Sequence, residues 1–241
     1  MRIGIFGGTF NPIHFGHLRA VEEVRQAVDL DKVFFIPSGY PALKTWDLEE
    51  ASHRYRMTAI SVKDNPYFEV LDIECRVPGR SYSVDTLSEL NAQYPDEEFF
   101  FILGIDAFID LPEWRMPEEI IGLSEFIVIS RPQYSFMDVI SSPYLNPEAV
   151  KEGLLRLDGK ETSIFRSSLR SGRSIIFTSL TQMDISATAI RKLLRDGKSV
   201  KYLLPQDVES YIISNGLYLA RIERGQKPEG GSGLKQQKQS H

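Results

Sequence analysis

The sequence predicts an α/β fold: a doubly wound parallel sheet followed by a C-terminal helical extension. Two observations predict it. Short runs of Ile, Val and Phe, too short for helices, alternate along the chain with stretches of helical periodicity. The first run also breaks into Gly7-Gly8 just before a helical pattern begins. Strands and helices alternating at these lengths form right-handed βαβ units, whose parallel sheet gathers helix N-termini along its carboxyl edge.

Arg2 to Phe6, rich in Ile and Phe, is a buried strand. Gly7-Gly8 at its carboxyl end leaves two positions without side chains, where the backbone can bend sharply or approach a ligand. From Gly16 the pattern turns helical, with Leu18, Val21, Val24 and Val28 on one face and Arg19, Glu22, Glu23 and Arg25 between them. Lys32 to Ile36 is a second strand, closed by Pro37-Ser38-Gly39, and Tyr40 to Glu50 is an irregular loop holding Lys44 and Trp46. A helix over Ser52–Lys63 has Ser52 as N-cap and an apolar face of Tyr55, Ala59, Ile60 and Val62; Asn65-Pro66 stops it. Phe68 to Ile73 is the third strand, and Ser83 caps a helix running through Leu87 and Leu90 towards Gln93. Glu98 to Leu103 is the most hydrophobic strand and takes a central place.

After Gly104-Ile105-Asp106 comes a short helix, then Leu111-Pro112-Glu113-Trp114, a helical turn or two over Glu118–Ile121, and a strand over Glu125–Ser130. Residues 131–173, with a helix at Pro147–Leu157, form an elaboration between the last two strands. Ser174 to Thr178 is the final strand. Ser186 caps a helix to Arg195 that Gly197 stops, and Pro205 starts another ending at Asn215-Gly216. The arrangement is Rossmann-like: one domain is expected over residues 1–222, and the Gly, Lys, Gln and Ser-rich stretch 223–241 is expected to be a disordered tail.

At 241 residues and 42% hydrophobic content the chain can bury one substantial core. It contains no window of about 18 apolar residues and opens on a strand, so neither a membrane span nor a secretory signal is expected, and a cytoplasmic place follows. Cys75 is the single cysteine, which fits a reducing compartment; no motif surrounds it, and strand filler is the better reading than catalytic thiol. A net charge of −5 argues against a nucleic-acid surface, so a site for anionic ligands must be a local cationic pocket.

Two constellations could form such a pocket. His14 and His17 stand three apart at the loop-to-helix junction, and three readings compete for them. As metal ligands they want a third ligand, and no familiar spacing supplies one. As core histidines they sit oddly beside glycines in a loop. As hydrogen-bond donors to phosphate oxygens at a helix N-terminus they fit, gaining positive charge when an anion is close, with Thr9 adding a hydroxyl and Gly8 an amide. In the second constellation the hydroxyls of Ser186 and Thr188 lie beside the free amides of a first helical turn, and Arg191 reaches the same side. A capped helix with a solvated Arg191 is the alternative. Two such cradles on one sheet edge favour a pair of phosphate groups held face to face.

At these residues a resemblance emerges. Gly7-Gly8-Thr9-Phe10-Asn11-Pro12-Ile13-His14-Phe15-Gly16-His17, with its His-x-Gly-His core, resembles the signature of the nucleotidylyltransferase superfamily, and Ile185-Ser186-Ala187-Thr188-Ala189-Ile190-Arg191 is similar to its second motif. Ser81-Tyr82-Ser83-Val84-Asp85-Thr86-Leu87, and Gly104-Ile105-Asp106 followed by Leu111-Pro112-Glu113-Trp114, resemble the bacterial nicotinate mononucleotide adenylyltransferases. The resemblance spans roughly residues 1–218. It implies two substrates, ATP and nicotinate mononucleotide, joined with release of pyrophosphate. Mg²⁺ bound through the ATP phosphates is expected with them, and the charge and the lack of an apolar window leave neither nucleic acid nor membrane as an expected partner.

By the same resemblance His14, His17, Lys44 and Arg191 act on the phosphates during catalysis. Gly7, Gly8, Thr9 and Phe10 line the ATP loop, Gly104 and Asp106 hold the ATP side with Asp106 on ribose hydroxyls, and Ser186 and Thr188 complete the triphosphate site. Trp114 stacks on the pyridine ring, while the Arg115 backbone and the Ser83 region read its carboxylate. On packing grounds alone Trp114, between Pro112 and Pro117, would simply cover the sheet end. The chain departs from the family pattern at Pro41-Ala42-Leu43-Lys44, where a histidine before the lysine is missing, at Ser83 for a usual threonine, and at Ala187 for a usual serine. The alternatives are an adenylyltransferase for nicotinamide mononucleotide or another phosphorylated acceptor such as phosphopantetheine, and a nucleotide-binding regulator without turnover.

Overall fold

The computed structural model describes residues 1–40 and 47–219. In chain order these form β1 (Arg2–Gly8), α1 (Phe15–Val28), β2 (Lys32–Pro37), α2 (Ala51–Val62), β3 (Phe68–Val70), α3 (Ser83–Gln93), β4 (Glu98–Gly104), α4 (Ile105–Ile109), α5 (Pro117–Leu123), β5 (Glu125–Ile129), α6 (Pro147–Asp158), β6 (Ile164–Ser168), β7 (Ser174–Thr178), α7 (Ala187–Arg195) and α8 (Gln206–Ser214). The strands make one seven-stranded sheet in the order β3-β2-β1-β4-β5-β7-β6. Every neighbouring pair is parallel except β6 with β7. The order reverses between β1 and β4, so a crevice opens beyond their carboxyl ends, where α/β sheets bind ligands.

The two-residue period of β4 divides the core. Phe99, Phe101 and Leu103 pack with Val84, Leu87 and Leu90 of α3 on one face. Phe100 and Ile102 pack on the other with Val21, Val24 and Val28 of α1, Ile190 of α7 and Val208 of α8. Burying each such side chain is worth about 1.5–3 kcal/mol, so both faces resist sliding, and the carboxyl edge is a fixed platform. The doubly wound reading and the helical extension hold.

Several expectations need correction. An extra strand, β6, was not foreseen: Ile164-Phe165-Arg166-Ser167-Ser168 has only two apolar residues, and its strand form comes from a hairpin with β7 at the sheet edge, so the sheet is not wholly parallel. Strand β3 is three residues long because the chain turns away after Val70 into a 3-10 turn at Glu74–Arg76. Helix α1 starts at Phe15, one residue before the Gly16 expected, with His14 in the cap position. Ser52 and Ser83 lie inside their helices, whose cap positions are Glu50 and Tyr82 and make no side-chain cap bond.

The buried face of α2 is Arg54, Met57, Thr58 and Val62, not the apolar set first read, of which only Val62 is fully buried. Loop carbonyls explain this: the Arg54 guanidinium donates to Glu49 O at 2.9 Å, Thr9 O at 2.8 Å and Gly39 O at 2.5 Å. The inner side of α2 therefore serves buried acceptors as well as the core. Lys44 and Trp46, and the stretch expected to be a tail, lie outside the described residues. Among the described residues no helix is long and apolar enough to cross a membrane.

Candidate active site

A cavity of about 620 Å³ opens where the sheet order reverses. It is walled by Gly7, Gly8, Thr9, Phe10 and His17 from the β1–α1 connection. Thr188 and Arg191 of α7 line it as well. Ser83, Gly104, Trp114, Arg115 and Arg131 line the same cavity. Eleven residues that the sequence assigned to a site, spread from Gly7 to Arg191, thus meet in one space.

The loop conformation explains the glycine after β1. A Cβ on Gly8 would sit 2.7 Å from the Phe10 ring, which folds back with φ of 45°. Phe10 then meets the His17 ring edge-on at 5.3 Å, and His17 stacks on His14 with centroids 3.7 Å apart. A side chain on Gly16 would crowd the His14 ring at 3.0 Å. Only His17 reaches the cavity wall; His14 is buried behind it.

The Nδ1 atoms of both rings are sealed from solvent and have no hydrogen-bond partner in the structure. Burial pushes His14 down to about 4, helped by the positive charge of Arg131. Burial, then the neighbouring His14 and Arg131, holds His17 well below the usual imidazole range. At neutral pH both are therefore uncharged, each with one N–H to donate. The charge the sequence reading gave them requires an anion in place.

On α7, Ser186 caps the helix by accepting from Ala189 N at 3.2 Å. The cap uses a lone pair of the hydroxyl and leaves its O–H free to donate, while the neighbouring Ala187 and Thr188 reach the cavity wall. Arg191 donates to Asn11 O and Asp47 Oδ2, each at 2.8 Å, and lies 3.4 Å from Thr188 Oγ1. Asp47 also takes Arg195 at 2.7 Å. Burial opposes the charge on Asp47, but the two arginines outweigh it and hold its carboxyl below the usual range.

Gly104 ends β4 where any Cβ would strike the Asp106 carboxylate and Arg131. Asp106 Oδ1 lies 3.5 Å from Arg131 Nε, and neither atom has a hydrogen bond. Asp106 thus stands beside the cavity, joined to its wall through Arg131. Trp114 forms a T-shaped pair with Phe101, ring centroids 6.3 Å apart, while it lines the cavity, so covering the sheet and facing a ligand are both open to it. The Arg115 guanidinium lies 4.7 Å over the Tyr82 ring and 3.8 Å from Asp85 Oδ2, closing a rim beside Ser83. Cys75 stays outside the cavity lining; its Sγ lies 3.4 Å from Pro37 O, and burial pushes its thiol up.

Sequence reasoning missed Arg131, Asp47 and Glu74, all on the cavity wall. Arg131 had a readable signal, a cation directly beyond the carboxyl end of β5. Nothing marked the other two. Among the described residues no group of three metal-ligating side chains gathers.

The family model described as cytidylyltransferase-like matches residues 5–193. A protein of Geotalea uraniireducens (strain Rf4) named a probable nicotinate-nucleotide adenylyltransferase is 41% identical over 219 residues, covering 90% of this chain and 98% of its own. One of the same name from Desulfatibacillum aliphaticivorans is 40% identical over 222 residues, 91% of this chain and all of its own. Among solved structures, the Plasmodium falciparum nicotinic acid mononucleotide adenylyltransferase complexed with NaAD superposes with a TM-score of 0.67 over 90% of this chain and 97% of that one, at 20% identity. At that identity the likeness speaks for the fold. The matched span and the bacterial relatives together show that the chain belongs to the cytidylyltransferase-like family, in its nicotinate-nucleotide adenylyltransferase branch.

Proposed function

We propose that the protein transfers the adenylyl group of ATP to nicotinate mononucleotide, forming nicotinate adenine dinucleotide and pyrophosphate for NAD biosynthesis. The observation that carries this is a single cavity lined both by donors, from His17, the glycine loop and Arg191, and by Trp114. The names of the bacterial relatives support it. The chemistry needs no covalent nucleophile and no general base, because the mononucleotide phosphate is already anionic at neutral pH. One of its oxygens attacks the α-phosphorus of ATP; the new P–O bond forms as the bond to the β-phosphate bridge breaks, and the electron pair leaves with pyrophosphate.

The chain must then bring two anions together in line and stabilise the charge that builds on the phosphoryl oxygens. In our reading the His17 imidazole, the Gly8 amide, the Thr9 hydroxyl and Arg191 take the phosphates, with Gly7 and Phe10 shaping the loop. His14 orients His17 by stacking. Asp106 holds ribose hydroxyls and Arg131 adds a cation to the wall. Trp114 stacks on the pyridine ring, and the Ser83 and Arg115 backbone meets its carboxylate. Lys44, Ser186 and Thr188 belong to the same phosphate assignment. The donor set facing the phosphates is N–H and O–H rather than carboxylate, which suits Mg²⁺ carried on ATP; that ion would supply neutralisation of phosphate charge. A cytoplasmic setting, where ATP is abundant and thiols stay reduced, completes the proposal.

Pyrophosphate release with ATP and a panel of acceptors tests it. Nicotinate mononucleotide is expected to give the highest kcat/KM. A higher value with nicotinamide mononucleotide or phosphopantetheine would reassign the acceptor, and ATP binding without turnover on any acceptor would leave a regulator.

A further inference from the structure

We propose that Glu74 is a positioning residue for the pyridine end of the cavity: its carboxylate sets the wall formed by Ser81 and Thr86 and does not itself bind substrate. This rests on the reading of that end as the mononucleotide subsite. Glu74 sits in the 3-10 turn after β3, far from any motif of the phosphate chemistry, yet its side chain lines the cavity. Its carboxylate oxygens are already engaged by the chain. Oε2 accepts from Ser81 Oγ at 2.6 Å and Oε1 from Thr86 Oγ1 at 2.9 Å. Burial raises the carboxyl, while the two hydroxyls and the charge of Arg54 pull it back.

Ser81 precedes the Tyr82 cap of α3 and Thr86 lies within that helix, so the carboxylate grips the chain on both sides of Ser83. Without that grip nothing on the side chain of Tyr82 would fix the helix start, because it makes no cap bond. The same network runs on to the ATP end. Gly39 touches the Glu74 carbonyl so closely that a Cβ would collide with it, and the Gly39 carbonyl accepts from Arg54, which also donates to Thr9 O at 2.8 Å. Arg54 thereby ties the phosphate loop to the turn after β2, and Glu74 ties that turn to α3. A hydroxyl held by a carboxylate also keeps its proton away from the cavity, which leaves N–H groups as the donors an acid substrate meets there.

Steady-state kinetics of Glu74→Gln, with each substrate varied in turn, test the assignment. Gln keeps the size but replaces one acceptor with a donor, so one of the two hydroxyls loses its partner. The KM for nicotinate mononucleotide is expected to rise about tenfold with that for ATP changed less than about twofold, as for loss of one charge-assisted hydrogen bond. The preference for the acid over the amide mononucleotide is expected to fall as well, which a merely structural role would not produce. Ser81→Ala and Thr86→Val each give a smaller shift of the same kind and stand in if the Gln variant does not fold. A folded variant in which both KM values rise together, or neither changes, overturns the proposal. If the wild type prefers another phosphorylated acceptor, it is the activity reading that fails. The same split, measured with that acceptor, then decides for or against Glu74.

Discussion

Arg191 is held at three points, by Asp47 Oδ2 and Asn11 O at 2.8 Å and by Thr188 Oγ1 at 3.4 Å. Asp47 and Arg191 are 144 residues apart in the chain, so this contact joins α7 to the segment entering α2. Its consequence is orientation: the planar guanidinium can meet all three partners at once and still present an edge to the cavity, whereas an ammonium cannot. Arg191→Lys is therefore expected to lower kcat by about 100-fold, close to Arg191→Ala, because what is lost is a fixed donor to transition-state charge. Kinetics of both variants check this. A lysine variant near wild type would mean that charge alone suffices.

His17 reaches the cavity and His14 does not, so the two should respond differently to truncation. His17→Ala is expected to cost 10²- to 10³-fold in kcat, about 2.7–4 kcal/mol of barrier, while far-UV circular dichroism keeps its helix and sheet signature. His14→Ala is expected to lose less, because it acts through the stacked ring at 3.7 Å. An equal loss for both would place His14 on substrate too.

Most of this site was legible because its residues cluster in sequence. The run Gly7 to His17 and the run Ser186 to Arg191 each carry their own backbone geometry, and the expected phosphate cradle is the place where they meet. What escaped notice was held by distant partners. Asp47 gains its meaning from Arg191 and Arg195, and Glu74 from the hydroxyls of Ser81 and Thr86. Arg54, which no sequence pattern marked, is fully buried, because the acceptors that call for it are carbonyls of Thr9 and Gly39 in other segments. In the fold, β6 was hidden for a related reason: an edge strand that alternates weakly takes its form from β7 rather than from its own pattern.

Trp114 meets Phe101 in a T-shaped pair and lines the cavity, where it can stack on a bound ring. Trp114→Ala is expected to raise the KM for nicotinate mononucleotide by about tenfold and that for ATP much less, and Trp114→Phe to recover most of the loss, since base–aromatic stacking is worth about 1–3 kcal/mol. Initial rates with each substrate varied separate this from packing. Equal increases in both KM values would make Trp114 a cover for the sheet end alone.

The buried imidazoles also make a pH prediction for the ligand-free protein. His14 titrates near 4 in the fold against an ordinary value of 6.5, through burial first and Arg131 second. Above pH 6.5 the ring is neutral in both folded and unfolded chains and costs nothing. As the pH falls below 6.5 the unfolded chain takes up a proton that the fold refuses, so stability declines until about pH 4, where the folded ring also protonates. The gap between 6.5 and about 4 corresponds to roughly 3 kcal/mol at most, and His17 shifts in the same direction. Carboxylates such as Asp47, held low by arginines, lose their contribution only at more acid pH, and Glu74, raised by burial, works the opposite way. Urea unfolding between pH 7.5 and 4.5 is thus expected to show a steady loss below pH 6.5 that His14→Gln/His17→Gln flattens. If wild type and double variant decline in parallel, burial of the histidines is not what sets the slope.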